Sequence, residues 1–170
     1  MSELKLEPLG QAHLEAVAEL VKDPAVQRYT RIPLPLPKDF ARSWIETYER
    51  GRAEGTHEGF AIVDESRTFL GLALAFGFDR EAQTVELGYV VAPAARGRGV
   101  AVRALEFLTE WAFDELGALR VELRISVENE ASSRVAERAG YVREGVLRSV
   151  YFKQGIREDE EVWSRLPTDP

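Results

Sequence analysis

Apolar positions along the chain switch repeatedly between a spacing of two and a spacing of three to four, so strands and helices alternate. "LKLEPL" (4–9) alternates apolar and polar residues, as an edge strand does. In "QAHLEAVAELVKD" (11–23), Leu14, Val17, Ala18 and Val21 recur at helical spacing. "TRIPLPLPKD" (30–39) sets prolines at every second position, which excludes both a helix and a central strand and predicts an extended surface loop. A second helix over 38–53 puts Phe40, Trp44, Ile45 and Tyr48 on one side. Three strands follow, over 59–65, 68–79 and 84–92, with polar turns between them that predict an antiparallel meander.

The next helix, 99–116, buries Ala101, Ala104, Leu105, Leu108, Trp111 and Ala112 and stops at Gly117. Residues 119–126 alternate Val121, Leu123 and Ile125 on one face with Glu122, Arg124 and Ser126 on the other. A short helix over 130–139 ends at Gly140, and "YVREGVLRSVYF" and "EDEEVWSRL" supply two more strands. The order βααβββαβαββ predicts one α/β (α+β) domain over 1–170, a single mixed sheet with helices on both faces.

Composition adds exclusions. A charged fraction of 30% and a hydrophobic fraction of 45% are those of a globular chain. Twenty-two Lys and Arg against 29 Asp and Glu leave a net charge of -7, which argues against a nucleic-acid partner. There is no cysteine, so thiolate chemistry and zinc–thiolate sites are excluded. The two histidines, His13 and His57, lie far apart and read as packing or surface residues, so no metal is expected. "MSELKLEPLG" lacks the apolar core of a leader and no stretch reaches membrane-spanning length, which makes the cytoplasm the expected location.

The chemistry concentrates in "APAARGRGVAVRALEFL" (92–108), where a strand passes through a glycine turn into a helix. The first turn of a helix has unpaired N–H groups and the positive end of the dipole, glycines admit a phosphate to them, and arginine adds charge. No Gly-Lys-Ser/Thr triplet is present, and Val102 stands where a dinucleotide fingerprint needs its third glycine. A bare strand-to-helix turn is the competing reading of so short a motif.

Arg96-x-x-Gly99-x-Ala101 resembles the pyrophosphate motif of the GCN5-related N-acetyltransferases (GNAT). Asn129, Ser132, Gly140 and Tyr141, followed by Asp159 near the end, resemble the RimJ/RimL-like branch of that superfamily. The resemblance implies the GNAT fold: seven strands, mostly antiparallel, with a splayed central pair and a bulge suited to Gly88. It also implies acetyl-CoA as cofactor. Pantetheine would lie along the backbone of Val90 and Val91 and beside Asn129, and the pyrophosphate on Arg96, Gly97, Arg98, Gly99, Val100 and Ala101.

For catalysis, Glu86 is the first candidate base and Glu122 the second, the latter read equally as a member of a cross-strand ion pair. The family's tyrosine position holds Ala136 here, which leaves Ser132 either to assist the departing thiolate or merely to satisfy its helix. Tyr29 and Arg31 are expected to reach the acceptor, with the proline loop, Trp44 and Tyr48 as a wall. Glu160 and Glu161 read as surface charges, Trp111 and Trp163 as core. The implied activity is acetyl transfer to a primary amine, such as the N-terminal α-amine of a ribosomal or other protein. The alternatives are a small amine (polyamine, amino acid or antibiotic) and a CoA-binding sensor without catalysis. A homodimer fits the family.

Overall fold

A computed structural model describes residues 4–170; residues 1–3, where the segment read for a leader begins, lie outside it. Seven strands form one open sheet in the order β1-β2-β3-β4-β5-β7-β6. These are β1 (Leu4–Pro8), β2 (Glu58–Asp64), β3 (Phe69–Asp79), β4 (Thr84–Val91), β5 (Arg120–Ser126), β6 (Val142–Lys153) and β7 (Ile156–Arg165). All neighbours are antiparallel except β4 and β5. The helices are α1 (Leu14–Leu20), α2 (Pro24–Tyr29), α3 (Phe40–Glu54), α4 (Val100–Asp114) and α5 (Glu130–Arg138). No helix among the described residues is long and apolar enough to cross a membrane.

Period-two alternation sends the two faces of the sheet to separate cores. Val85 and Leu87 of β4, Val121, Leu123 and Ile125 of β5, and Trp163 of β7 pack with Ala104, Leu105, Leu108 and Ala112 of α4 and with Ala136 of α5. On the other face Leu72, Leu74 and Val90 meet Val17 and Leu20 of α1, Val26 of α2, and Ile45 and Tyr48 of α3. Leu105 and Leu108 are fully buried, each burial contributing about 1.5–3 kcal/mol. Trp111 packs at the edge of its core, its ring edge-on to Phe60. Phe40, Trp44 and Tyr48, at i, i+4 and i+8, form an aromatic ladder along α3, so Trp44 serves packing. His57 stacks edge-on against Tyr48.

Two features add to or correct the sequence reading. Residues 24–29, to which the sequence pattern assigns no element, are helical. Asp23 accepts a hydrogen bond from Val26 N–H at 3.0 Å, and Pro24 opens the six-residue helix α2. An Asp N-cap followed by proline is a local start signal, but a helix with one buried apolar residue has no periodicity to read. Secondly, β4 runs in unbroken register along β3 through Gly88, so no bulge against β3 occurs there. The β3–β4 register shifts instead where Gly77 and Phe78 of β3 face Val85 alone, between the pairs Phe76–Glu86 and Asp79–Thr84. In the β2–β3 pairing Leu70 is the extra residue between the partners of Ile62 and Val63. Gly71 has φ 154°, and a Cβ on it would sit 2.1 Å from the carbonyl oxygen of Val90.

At the far edge, β6 bears one free side along its 12 residues, and its pairing with β7 shifts register in three places. One shift is held by Ser149, at φ 55°, whose N–H donates to Asp159 Oδ1 at 2.8 Å. Asp159 therefore fixes the path of this edge.

Two expected outcomes follow from these contacts. Gly71→Ala forces the Val90 backbone away and should destabilise the domain by about 2 kcal/mol or more, read from the denaturant midpoint. Arg120 holds Glu144 through both carboxylate oxygens, at 2.8 and 2.6 Å, and Ser164 donates to it at 2.7 Å. These bonds lower its pKa from the ordinary 4.5 to about 2. A carboxylate depressed on folding stabilises above its unfolded value, so stability should fall as the pH drops from about 4.5 to about 2. Arg120→Met should flatten that part of an acid titration followed by circular dichroism.

Candidate functional site

The site begins where β4 and β5 part. Their parallel pairing covers Thr84, Val85 and Glu86 against Arg120, Val121 and Glu122, and then ends. Beyond it, β5 continues on β7 and β4 on β3, which opens a wedge between their C-terminal halves. Ala92 N–H donates to Leu70 O at 2.8 Å. Antiparallel alternation then turns the backbone of Val90 toward β3 and that of Tyr89 and Val91 into the wedge. Of the two valines, Val91 presents its main chain there.

At the mouth of the wedge the chain turns through Gly97 and Gly99, at φ 73° and 72°, into α4. Both need the left-handed conformation that glycine adopts freely. Nothing lies within 4 Å of a Cβ built on either, so the turn is open space that a side chain would fill. Helix geometry leaves the N–H groups of Val100, Ala101 and Val102 without intrahelical acceptors. From Gly97 to Val102 no N–H finds another acceptor among the described residues. A 15-residue helix thus aims its positive end at an open, glycine-lined cradle.

Arg98 is exposed beside this cradle. Arg96 is engaged elsewhere: Nε donates to Val91 O at 3.2 Å, and the guanidinium pairs with Asp23 Oδ1 at 2.6 Å. That bond holds the Asp23 carboxyl below the usual carboxylate range. Arg96 therefore ties the end of β4 to the cap of α2 and does not fold over the cradle.

Across the wedge, Asn129 caps α5 by accepting from Ser132 N–H at 3.2 Å. Capping uses its carbonyl oxygen and leaves the amide N–H groups to donate elsewhere. Ser132 sits half-buried in the first turn of α5. The hydroxyl of Tyr89 reaches the Ser132 carbonyl oxygen at 3.5 Å, bridging β4 to α5. Burial pushes this phenol up to about 12, so it keeps its proton at neutral pH. Tyr89 is absent from the sequence-based set because β-strand alternation gives it to the core.

Glu86 lies where the pairing ends, on the face of α1–α3. No hydrogen bond or ion pair engages its carboxylate among the described residues. Burial pushes its pKa up; Arg124 and Arg31 pull it down, and Glu160 and Glu122 add to the rise. Glu122 is bracketed along its own strand by Arg120 at 2.7 Å and Arg124 at 3.7 Å. Its ion pairs run along β5 to residues two positions away, not across strands.

Glu160 is not a surface charge: it is 4% exposed and meets Arg31 Nη2 at 3.5 Å. Glu161 is also withdrawn, accepting from Ser133 at 2.8 Å, Trp163 at 2.8 Å and Arg143 at 2.9 Å. These glutamates escape a sequence reading because "REDEEV" gives no sign of the arginine and aromatic partners that fold over them.

The remaining wall comes from α2 and the segment after it. Tyr29 Oη donates to Glu128 O at 3.4 Å, next to the cap of α5. Arg28 bonds Glu158 at 3.1 Å and also Glu128. Arg31 donates to Tyr151 O at 3.4 Å in addition to meeting Glu160. Tyr29 and Arg31 thus stand on the Glu86 side of the wedge, and the glycine cradle, Asn129 and Ser132 at its mouth.

A family model described as "Acetyltransferase (GNAT) domain" matches residues 3–142. The probable N-acetyltransferase YjcK of Bacillus subtilis (strain 168) is 32% identical over 117 residues, 68% of this chain and 64% of that protein. The putative ribosomal N-acetyltransferase YdaF of the same organism is 32% identical over 96 residues, 56% of this chain and 52% of that protein. Both matches span less than two thirds of those relatives. The crystal structure of spermidine N-acetyltransferase from Vibrio cholerae, in complex with CoA and spermine, superposes with a TM-score of 0.85. It is 21% identical and covers 98% of this chain and 96% of that one, so the likeness is one of fold. Open seven-stranded sheet, splayed parallel pair, glycine turn and family match agree: the chain belongs to the GNAT acetyltransferase family.

Proposed function

We propose that this protein is an acetyl-CoA-dependent N-acetyltransferase acting on a primary amine. The observation that carries this reading is the open cradle of free N–H groups from Gly97 to Val102 at the mouth of the β4–β5 wedge. It fits a pyrophosphate in charge and in space. In the wedge, the Val91 main chain and the Asn129 amide offer the donors and acceptors that an extended pantetheine arm needs. Acetyl-CoA supplies the acetyl group as a thioester.

The chain's own residues do the rest. Positioning of the two reactants contributes most of the rate by making their encounter effectively unimolecular. Glu86, half-buried and without a partner, takes the proton from the ammonium of the acceptor, directly or through one water. Ser132 presents a hydroxyl to the departing sulfur, and Tyr89 steadies the turn of α5 that carries it. Tyr29 and Arg31 line the approach of the amine. The N-terminal α-amine of a protein is the first reading of the acceptor. The fold likeness to a spermidine acetyltransferase and the carboxylates Glu86, Glu122 and Glu160 along one face favour a small polyamine as the second.

Release of CoA thiol with a panel of N-terminal peptides and small amines separates these readings, and turnover with neither leaves a binding module. Glu86→Gln should lower kcat at least about 100-fold. Since burial raises the pKa of Glu86 and the base works deprotonated, wild-type rate should fall toward low pH through a value above the ordinary 4.5. The variant should lack that limb, and full activity of the variant at every pH would remove Glu86 from the mechanism. Gly99→Val places a β-branched residue at φ 72° and fills the cradle. The rise in melting temperature caused by acetyl-CoA should shrink and the KM for acetyl-CoA should increase, while the fold persists. Unfolding without such a loss of affinity would return the turn to a purely structural role.

A further inference from the structure

Lys153 is a charged residue in a place where charge is unusual. It ends β6, is 8% exposed, and has no carboxylate within ion-pair range among the described residues. A two-residue turn through Gln154 and Gly155, both at positive φ, sets it opposite Ile156. From there its ammonium donates to the carbonyl oxygens of Gln27, Thr30 at 2.9 Å and Ile32 at 3.0 Å. An ammonium has three N–H donors, and all three are used.

The three acceptors bracket Tyr29 and Arg31. Gln27 and Thr30 belong to the C-terminal end of α2, where helix carbonyls lack intrahelical partners and the dipole is negative. Ile32 begins the stretch whose prolines have no N–H to donate. Within this stretch Ile32 is buried and Leu36 packs against the α1–α3 core, while the backbone carbonyls of Gln27, Thr30 and Ile32 are held by Lys153. With those carbonyls held, Tyr29 reaches Glu128 and Arg31 reaches Glu160 and Tyr151. The centre of the Phe152 ring lies 5.2 Å from the Lys153 ammonium and 5.9 Å from the Arg31 guanidinium, so one aromatic ring is near both cations.

We propose that Lys153 is the positioning residue of the acceptor wall: its buried ammonium, seated among the carbonyls of Gln27, Thr30 and Ile32, fixes Tyr29 and Arg31 over the cleft. It touches neither reactant and acts through the backbone it holds. This rests on the reading that Tyr29 and Arg31 line the approach of the amine.

Lys153→Met keeps the length and bulk of the side chain and removes the donors. With the best acceptor of the amine panel, its KM for the amine should rise about tenfold or more, as expected when a reactant is misplaced. The acetyl-CoA-induced rise in melting temperature should stay that of the wild type. Hydrogen exchange should accelerate at the amides of residues 27–32 and not in β3, β4 or α4. Lys153→Gln, which retains one donating group, should lie between the two, and it carries the test if the methionine variant does not fold. Unchanged exchange at 27–32 overturns the proposal outright. Faster exchange there with an unchanged KM for the amine shows that Lys153 holds a segment that is not the acceptor wall, and overturns it too. A parallel loss of acetyl-CoA stabilisation would make the role one of general stability. Failure of the wild type to be stabilised by acetyl-CoA would instead overturn the proposed function itself.

Discussion

Three residue pairs join β4 to β5, and the site depends on the place where that pairing stops. Parallel strands normally share slanted bonds along their whole common length. Here each strand has a second neighbour that keeps its course: β3 binds β4 from Glu86 through Val91, and β7 binds β5 from Val121 through Ser126. The sheet therefore stays rigid on both sides of a gap in its middle. Backbone groups that would have paired across the gap are left available to a ligand without any loop having to supply them. Since α4 follows β4 and α5 follows β5, both helices start at the same open end. That brings a free helix N-terminus and a capping asparagine to the two lips of one cleft.

Charge is distributed across the cleft with a clear division. The lip at the glycine turn is electropositive through N–H groups, with no carboxylate bonded to them among the described residues. The face toward α1–α3 alternates acids and arginines: Arg120, Glu122 and Arg124 along β5, Glu86 beside them, and Glu160 with Arg31. Within this series Glu86 is the carboxylate without a bonded cation among the described residues, while Glu122 meets Arg120 and Arg124 and Glu160 meets Arg31. A group that is half-buried and unpaired carries a desolvation penalty in its charged form, and that penalty raises its proton affinity. Glu122, next to it across the strands, is held between two arginines instead.

Much of this was legible in the chain. The alternation in 59–92 and 119–126, and the helical spacing in 99–116, located the strands and helix that frame the cleft, because each element buries a full face. The glycine turn was legible because its backbone angles leave little choice of residue. What escaped depends on contacts between distant segments. Arg96 finds Asp23 across 73 residues, and Lys153 finds Ile32 across 121. Neither partner is marked by any local pattern. No bulge is found at Gly88; the close backbone approach is at Gly71 of β3, next to the extra residue Leu70, since a glycine in a strand signals close approach without saying whose. In α2 the start signal was present, but six residues with a single apolar anchor fall below what periodicity can detect.

The irregular path of β6 has a meaning beyond the cleft. An edge strand of 12 residues with exposed Val142, Val146, Leu147 and Tyr151 would ordinarily be a template on which another chain could add a strand. Three register shifts and a left-handed residue at Ser149 break its free row of N–H and C=O groups into short, differently directed pieces. Asp159 holds one of those breaks in place. The hairpin that fastens the wall of the cleft is thereby a poor nucleus for sheet-to-sheet aggregation, and the irregularities protect the chain's solubility at its most exposed margin.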